Sequence, residues 1–256
     1  MTWIELDGAV NVRDLGALAT DDGQVTAEHR LLRGDNLQDL SPSDVRTLVT
    51  DIGVTTVVDL RSPGEVTSEG PGPLTRVGSV RHAYHSVLPE RGTATDAAAD
   101  ALALRRDGAK TRYPDDIRCG YYLGYLEDRP EQVVGALRSI ARSAGAALVN
   151  CAAGKDRTGV VVAMALTAVG VRREAVVADY AASAERMEEI LARLRASKTY
   201  ASDVDAVPAT EQAPRPQTMA AFLDQLDSRH GGVLGWLAGR GFGSSDVRSL
   251  RAKLVA

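Results

Sequence analysis

Over the first 150 positions short apolar runs alternate with longer stretches of helical period, and after them the helical period persists alone. Val54-Thr55-Thr56-Val57-Val58-Asp59-Leu60 is β-branched and nearly continuous in its apolar character, the pattern of a buried strand. Ser41-Pro42 predicts the start of a helix over Asp44 to Asp51, which Gly53 stops. Ser79 to Leu88 reads as a second strand and the Ala-rich stretch Thr93 to Leu104 as a helix. Asp107 to Asp116 reads as a polar loop, with Asp115 and Asp116 placed to cap the helix that follows. Helices are predicted over Ile117 to Leu126 and Glu131 to Ser143, the second opened by Asp128 and Pro130 and ended by Gly145. Ala146-Ala147-Leu148-Val149-Asn150 is a short buried strand, and after the turn Cys151 to Gly159 an apolar helix runs to about Val169.

Downstream the pattern is all-helical: Arg172 to Ala182, Ala184 to Ala196, Gln217 to Arg229, Gly232 to Ala238 and Asp246 to Leu254. The polar stretch Ser197 to Pro216, with Pro208, Pro214 and Pro216, joins helices rather than domains. Alternating strands and helices predict an α/β fold with a mostly parallel central sheet, flanked by helices and extended by a C-terminal helical elaboration. The organisation is a single domain over residues 1–256.

Composition narrows the function class. The formal charge of −4 opposes a partner gripped through overall positive field, so nucleic acid is not expected. Two cysteines, Cys119 and Cys151, are too few for a disulfide framework or a cysteine-type zinc site. His82 and His85 are three apart on an expected strand and face opposite sides, so no metal is predicted there. The acidic N-terminus lacks the pattern of a signal peptide, and the longest apolar run, Val160 to Val169, is far short of the roughly 20 residues of a membrane span. A cytoplasmic location is expected, with export independent of a signal peptide left open.

Chemistry concentrates in Cys151-Ala152-Ala153-Gly154-Lys155-Asp156-Arg157-Thr158-Gly159. A cysteine ends a strand, an arginine follows six residues later, a hydroxyl residue comes next and a helix begins. Loop amides converging on one point, aided by the positive end of that helix, make an anion cradle from Ala152 to Arg157. Gly154 and Gly159 permit the torsions and close approaches this needs. Arg157 offers a two-pronged donor to a tetrahedral anion, and the same field stabilises a thiolate at Cys151, a nucleophile aimed at phosphorus. Thr158 can donate its hydroxyl to the sulfur. Lys155, one of only four lysines, adds charge for a second phosphate if it points inward. A nucleotide P-loop fails because Val149 stands where its first glycine belongs, and Gly239 to Gly243 lacks the strand a dinucleotide loop requires.

This loop resembles the signature of cysteine-dependent protein tyrosine phosphatases, and its Lys155-Asp156 pair is similar to bacterial members with a lysine in the loop. Some of these also act on phosphoserine, phosphothreonine or phosphoinositides. Asn11-Val12-Arg13-Asp14-Leu15-Gly16, Leu32-Arg33-Gly34, Val58-Asp59-Leu60-Arg61-Ser62 with Glu65, and Asp179-Tyr180 with Ser183 resemble further family segments. The chain departs in one place: Asn150 precedes the cysteine, where the family usually has histidine.

The resemblance implies a phosphotyrosine phosphatase working through a phospho-cysteine, with Asp156 as proton shuttle, inorganic phosphate as product and no cofactor. Phosphoinositide or inositol-phosphate hydrolysis is the rival reaction; a pseudophosphatase that only binds phosphorylated partners is the rival of another class, and sulfur transfer fits poorly. Asp59, Arg61 and Glu65 are expected to form a structural ion network. Cys119 is expected to be a buried helix thiol rather than a partner for oxidised Cys151. The resemblance also implies a candidate helical lid over 180–229 that would shield the nucleophile, the alternative being fixed packing helices.

Overall fold

The computed structural model describes residues 1–88, 107–201, 204 and 212–256. Six strands form one sheet: β1 (Thr2–Trp3), β2 (Arg13–Asp14), β3 (Leu31–Gly34), β4 (Val54–Asp59), β5 (Arg81–Tyr84) and β6 (Ala146–Asn150). Their order is β1-β2-β3-β6-β4-β5. The β3–β6, β6–β4 and β4–β5 pairs are parallel, and β1 and β2 add an antiparallel edge. The mostly parallel sheet predicted from the alternating pattern is therefore present. No sequence pattern predicts the antiparallel edge, because two-residue strands carry no periodic signal.

Ten α-helices are named here: α1 (Pro42–Arg46), α2 (Pro63–Glu69), α3 (Ile117–Asp128), α4 (Pro130–Ala141), α5 (Asp156–Ala168), α6 (Arg173–Ala182), α7 (Met187–Ala196), α8 (Pro216–His230), α9 (Gly232–Ala238) and α10 (Ser244–Leu254). Ser41 caps α1 in a reciprocal capping box with Asp44, and α1 continues into a wider turn over Thr47–Asp51. Ser62 and Glu65 repeat the device at α2. Asp116 caps α3 by accepting from the N–H groups of Arg118 and Cys119, as its position predicts. Two expectations are corrected. Residues 107–112 are helical rather than loop, and α4 begins at Pro130 behind Arg129, since Asp128 is the last residue of α3. The helix expected over Thr93 to Leu104 lies outside the described residues.

Alternation along the central strands divides the core in two. Ala147 and Val149 of β6 face the larger cluster with α3 to α6 and α8 to α10, while Ala146 and Leu148 face a smaller one with Leu32, Leu48 and Val57. Helix α5 is buried almost all round, which explains a run apolar enough to resemble part of a membrane span. Among the described residues no helix is long and apolar enough to cross a membrane. The parallel strands β3, β6 and β4 end level at Gly34, Asn150 and Asp59, in register. Their exits, Asp35, Cys151 and Leu60, thus share one edge, the place where parallel sheets collect ligand-binding loops.

Candidate active site

Cys151 leaves β6 on the face of the larger core and is nearly fully buried. The loop behind it is held open from outside. Asn36 N–H donates to the carbonyl of Ala152 (3.0 Å), Asn11 Nδ2 to that of Ala153 (2.8 Å) and Arg33 Nη2 to that of Gly154 (2.7 Å). Arg33 Nη2 also reaches the carbonyl of Lys155 at 3.3 Å. A peptide unit is planar and trans, so its N–H points opposite to its C=O. Pulling four successive carbonyls outward turns the N–H groups of Ala153, Gly154, Lys155 and Asp156 toward the loop's interior. That row of inward amides at the start of α5 has the arrangement of a backbone nest, the kind that can receive an anion.

Gly154 adopts φ +66°, and a Cβ there would lie 2.5 Å from the backbone of Gly34, so the turn admits only glycine. Gly159 serves a different need. A Cβ on it would meet the Tyr180 ring at 2.9 Å, where α6 crosses α5.

The braces are braced in turn. Asp179 on α6 accepts from Arg13 Nε (2.8 Å) and Arg33 Nη1 (2.5 Å), with all three side chains at most 1% exposed. Arg13 Nη1 donates to Asn11 Oδ1 at 2.7 Å, and Nη2 donates to Ser183 Oγ and to the carbonyl of Asp179. Burial and the neighbouring Arg33 pull Arg13 down to about 10, against the pull of Asp179. Burial pushes the Asp179 carboxyl up, but the two guanidinium groups win and hold it below its usual range. The opening motif, the Leu32-Arg33-Gly34 strand and the Asp179 helix are thereby parts of one buried frame for the nest.

Arg157 enters from the first turn of α5. Its Nη1 and Nη2 donate to the two oxygens of Glu65 at 2.6 and 2.7 Å, leaving three of its five N–H groups for another acceptor. Against burial, Glu65 and the Cys151 sulfur raise the guanidinium well above its usual range. Burial pushes Glu65 up, but Arg157 outweighs it and brings the carboxyl to about 2. The expected network of Asp59, Arg61 and Glu65 is accordingly corrected. Asp59 pairs with Arg61 at 2.6 Å, whereas Glu65 belongs to Arg157 and orients it.

A depressed carboxyl stabilises the fold above its usual 4.5 and loses that contribution as the pH falls through its folded value. Glu65→Gln should therefore lower stability near neutrality by roughly 3 kcal/mol, the worth of the shift, with the deficit shrinking below about pH 4.5. Denaturant unfolding of both proteins across pH checks this; a deficit independent of pH contradicts it.

Asp156 accepts from the Tyr122 hydroxyl at 2.6 Å, with Lys155 Nζ at 3.4 Å and Arg118 Nε at 3.8 Å. Burial raises this carboxyl, but Lys155, Arg118 and the Tyr122 bond together bring it below its usual range. Lys155 is buried, and Nζ donates to the carbonyl of Gln212 at 2.6 Å. Burial lowers its ammonium, with Asp156 opposing. Arg118 donates to the carbonyl of Ala213 at 2.7 Å, so residues 212–213 lie across the two cations beside the nest.

Thr158 Oγ1 is buried and has no hydrogen-bond partner, so this arrangement lacks the expected bond to the Cys151 sulfur. Asn150 Oδ1 is likewise buried and unpartnered. Cys119 is a buried free thiol on α3, pushed up to about 12 by burial and Asp116.

A cavity of about 220 Å³ separates Ala152 of the loop from α7 and is bounded by Asn36, Glu69, Arg193, Ser197 and Tyr200 among others. Within 180–229, α7 lies across that cavity from the loop and residues 212–213 lie against Lys155 and Arg118, whereas α8 buries Met219, Phe222 and Leu226 in the core. Among the described residues no group of three or more His, Cys, Asp or Glu could hold a metal ion.

The comparisons agree with this geometry. The chain is 30% identical to the triple specificity protein phosphatase PtpB of Mycobacterium tuberculosis, over 98% of each chain. It is 31% identical to a tyrosine-protein phosphatase of Nostoc commune, over 56% of this chain and 51% of that one. The sequence profile of the tyrosine phosphatase family matches residues 4–256, a span that takes in the nest, its buried frame and the Arg157–Glu65 pair alike. The chain belongs to the tyrosine phosphatase family.

Proposed function

We propose that this protein phosphatase hydrolyses phosphotyrosine, and phosphoserine or phosphothreonine as well, through a phospho-cysteine at Cys151. The observation that carries this reading is the nest, four successive loop carbonyls tied outward around a buried cysteine with Arg157 beside it. Amides of residues 152 to 157 and the free N–H groups of Arg157 hold the nonbridging oxygens of the phosphoryl group. The sulfur attacks phosphorus in line, the P–O bond to the leaving group breaks, and Asp156 gives that oxygen a proton. Water then attacks phosphorus, Asp156 takes the water's proton, the S–P bond breaks and inorganic phosphate leaves. At rest Asp156 is held ionised by Lys155 and Arg118; a bound dianion opposes that hold and raises the carboxyl toward protonation. Thr158, buried beside the loop, can turn its unpartnered hydroxyl to the departing thiolate. No cofactor enters this scheme.

A second reading rests on Lys155 and Arg118. They are two cations beside the loop that would pair with an additional phosphate of a phosphoinositide once the carbonyls of Gln212 and Ala213 are displaced from them, and PtpB is named a triple specificity phosphatase. Acid-quenched mass spectrometry should place the trapped phosphoryl group on Cys151; its appearance on another residue overturns the mechanism. Matched assays on a phosphotyrosine peptide and on phosphoinositide vesicles then decide between the substrates.

A further inference from the structure

Asn36, two residues beyond the end of β3, uses every polar group it has across element boundaries. Its N–H donates to the carbonyl of Ala152 at 3.0 Å, and its own carbonyl accepts from Arg193 Nη2 at 3.1 Å. The side-chain oxygen accepts from Arg61 Nη1 at 2.8 Å, while Nδ2 donates to Glu69 Oε2 at 3.0 Å. Glu69 Oε1 in turn accepts from Ser197 Oγ at 2.7 Å. One buried amide thus ties the nucleophile loop, the exit of β4, the end of α2 and, through Arg193 and Ser197, α7 and the residue after it, while Arg193 also pairs with Asp35 (3.2 Å) and Asp39 (3.3 Å).

The chemistry of the position is narrow. Donating to a carboxylate and accepting from a guanidinium needs both halves of an amide; aspartate lacks the donor and leucine lacks both. The two side-chain bonds fix the main chain of Asn36, whose N–H makes the bond to Ala152 and so sets the peptide plane that aims the Ala153 N–H into the nest. The row Asn36–Glu69–Ser197 also forms a wall of the cavity beside the loop.

We propose that Asn36 is a positioning residue of the reaction, one that fixes the aim of the Ala153 N–H and makes it depend on the docking of Arg193 and Ser197. This rests on the reading that the nest binds the phosphoryl group.

The test is a donor–acceptor swap. Asn36→Asp keeps the pairing with Arg61 but sets a second carboxylate against Glu69. Adding Glu69→Gln restores a hydrogen bond between positions 36 and 69 with its direction reversed, and leaves an acceptor for Ser197. Three quantities are read: kcat on para-nitrophenyl phosphate, the inhibition constant of inorganic phosphate, and the thermal midpoint. The single variant should lose about tenfold in kcat and in phosphate affinity, as misaimed nest donors imply, and the double variant should recover to within about threefold.

Unchanged phosphate affinity in Asn36→Asp, with only the midpoint lowered, overturns the proposal, as does a double variant no better than the single. Should Asn36→Asp fail to fold, Glu69→Ala cuts the link from its other end. Phosphate affinity is then expected to fall several-fold, and an unchanged constant overturns the proposal equally. Turnover that survives Cys151→Ser would remove the underlying mechanism while leaving the phosphate-binding readout of Asn36 intact, so the two failures are distinct.

Discussion

Asp179→Ala should destabilise the protein by about 3–5 kcal/mol, the cost of removing one partner from a fully buried ionic group. Arg13 and Arg33 would be left with no carboxylate between them at 0% side-chain exposure, where each guanidinium has only neutral acceptors to replace it. Arg13 is already drawn down to about 10 by burial and by Arg33, so the carboxylate is what keeps the pair tolerable. For a chain of this size a loss of that order lowers the thermal midpoint by about 10 °C.

The damage also reaches the reaction. Arg33 holds the carbonyls of Gly154 and Lys155, and Arg13 holds the Asn11 side chain that anchors Ala153. Catalysis should therefore fall even at temperatures where the variant is folded. Because the two arginines lower the Asp179 carboxyl, its contribution is present above the ordinary carboxylate range and fades as the pH drops below it. Denaturant unfolding of both proteins tests this; a stability loss under about 1 kcal/mol would mean that the two arginines find other partners.

What could be read in advance follows from how far apart in sequence the cooperating residues lie. The strand Ala146–Asn150, the loop and α5 are contiguous, so buried strand, cysteine, glycine turn and apolar helix are visible together. Helix α9 matches its expected bounds, and α3, α6 and α8 match theirs to within two residues, because each carries a long apolar face. The helix at 107–112 was hidden by its polar composition, which shows no apolar period.

The supporting residues of the site are the part sequence alone does not reveal. Glu65 meets Arg157 across 92 positions, and its Ser62-to-Glu65 spacing signals only a capping box, a local role it also fills. Asn36 sits in no motif. Its signal is the need for both an amide donor and an amide acceptor at one buried point, which exists only once β3, β4, α2 and α7 are assembled. Resemblance to the family pointed to Arg13, Arg33, Glu65 and Asp179, but not to the partners that hold them together.

Replacing Cys151 by serine should lower kcat on para-nitrophenyl phosphate by about 10⁴-fold or more, the scale on which removing a covalent nucleophile acts. Binding should survive, since nothing that orients the nest passes through the sulfur. The four loop carbonyls are held by Asn36, Asn11 and Arg33, and Arg157 is held by Glu65. Affinity for inorganic phosphate should stay within about an order of magnitude of the parent, because every bond that shapes the loop is still present in the variant. A nest that owed its shape to the thiolate would behave oppositely, losing phosphate binding together with turnover. Measuring both quantities on one preparation separates a scaffold built for the anion from a loop organised by its nucleophile. Turnover retained within a factor of about ten of the parent would place the covalent step elsewhere and remove Cys151 from the reaction.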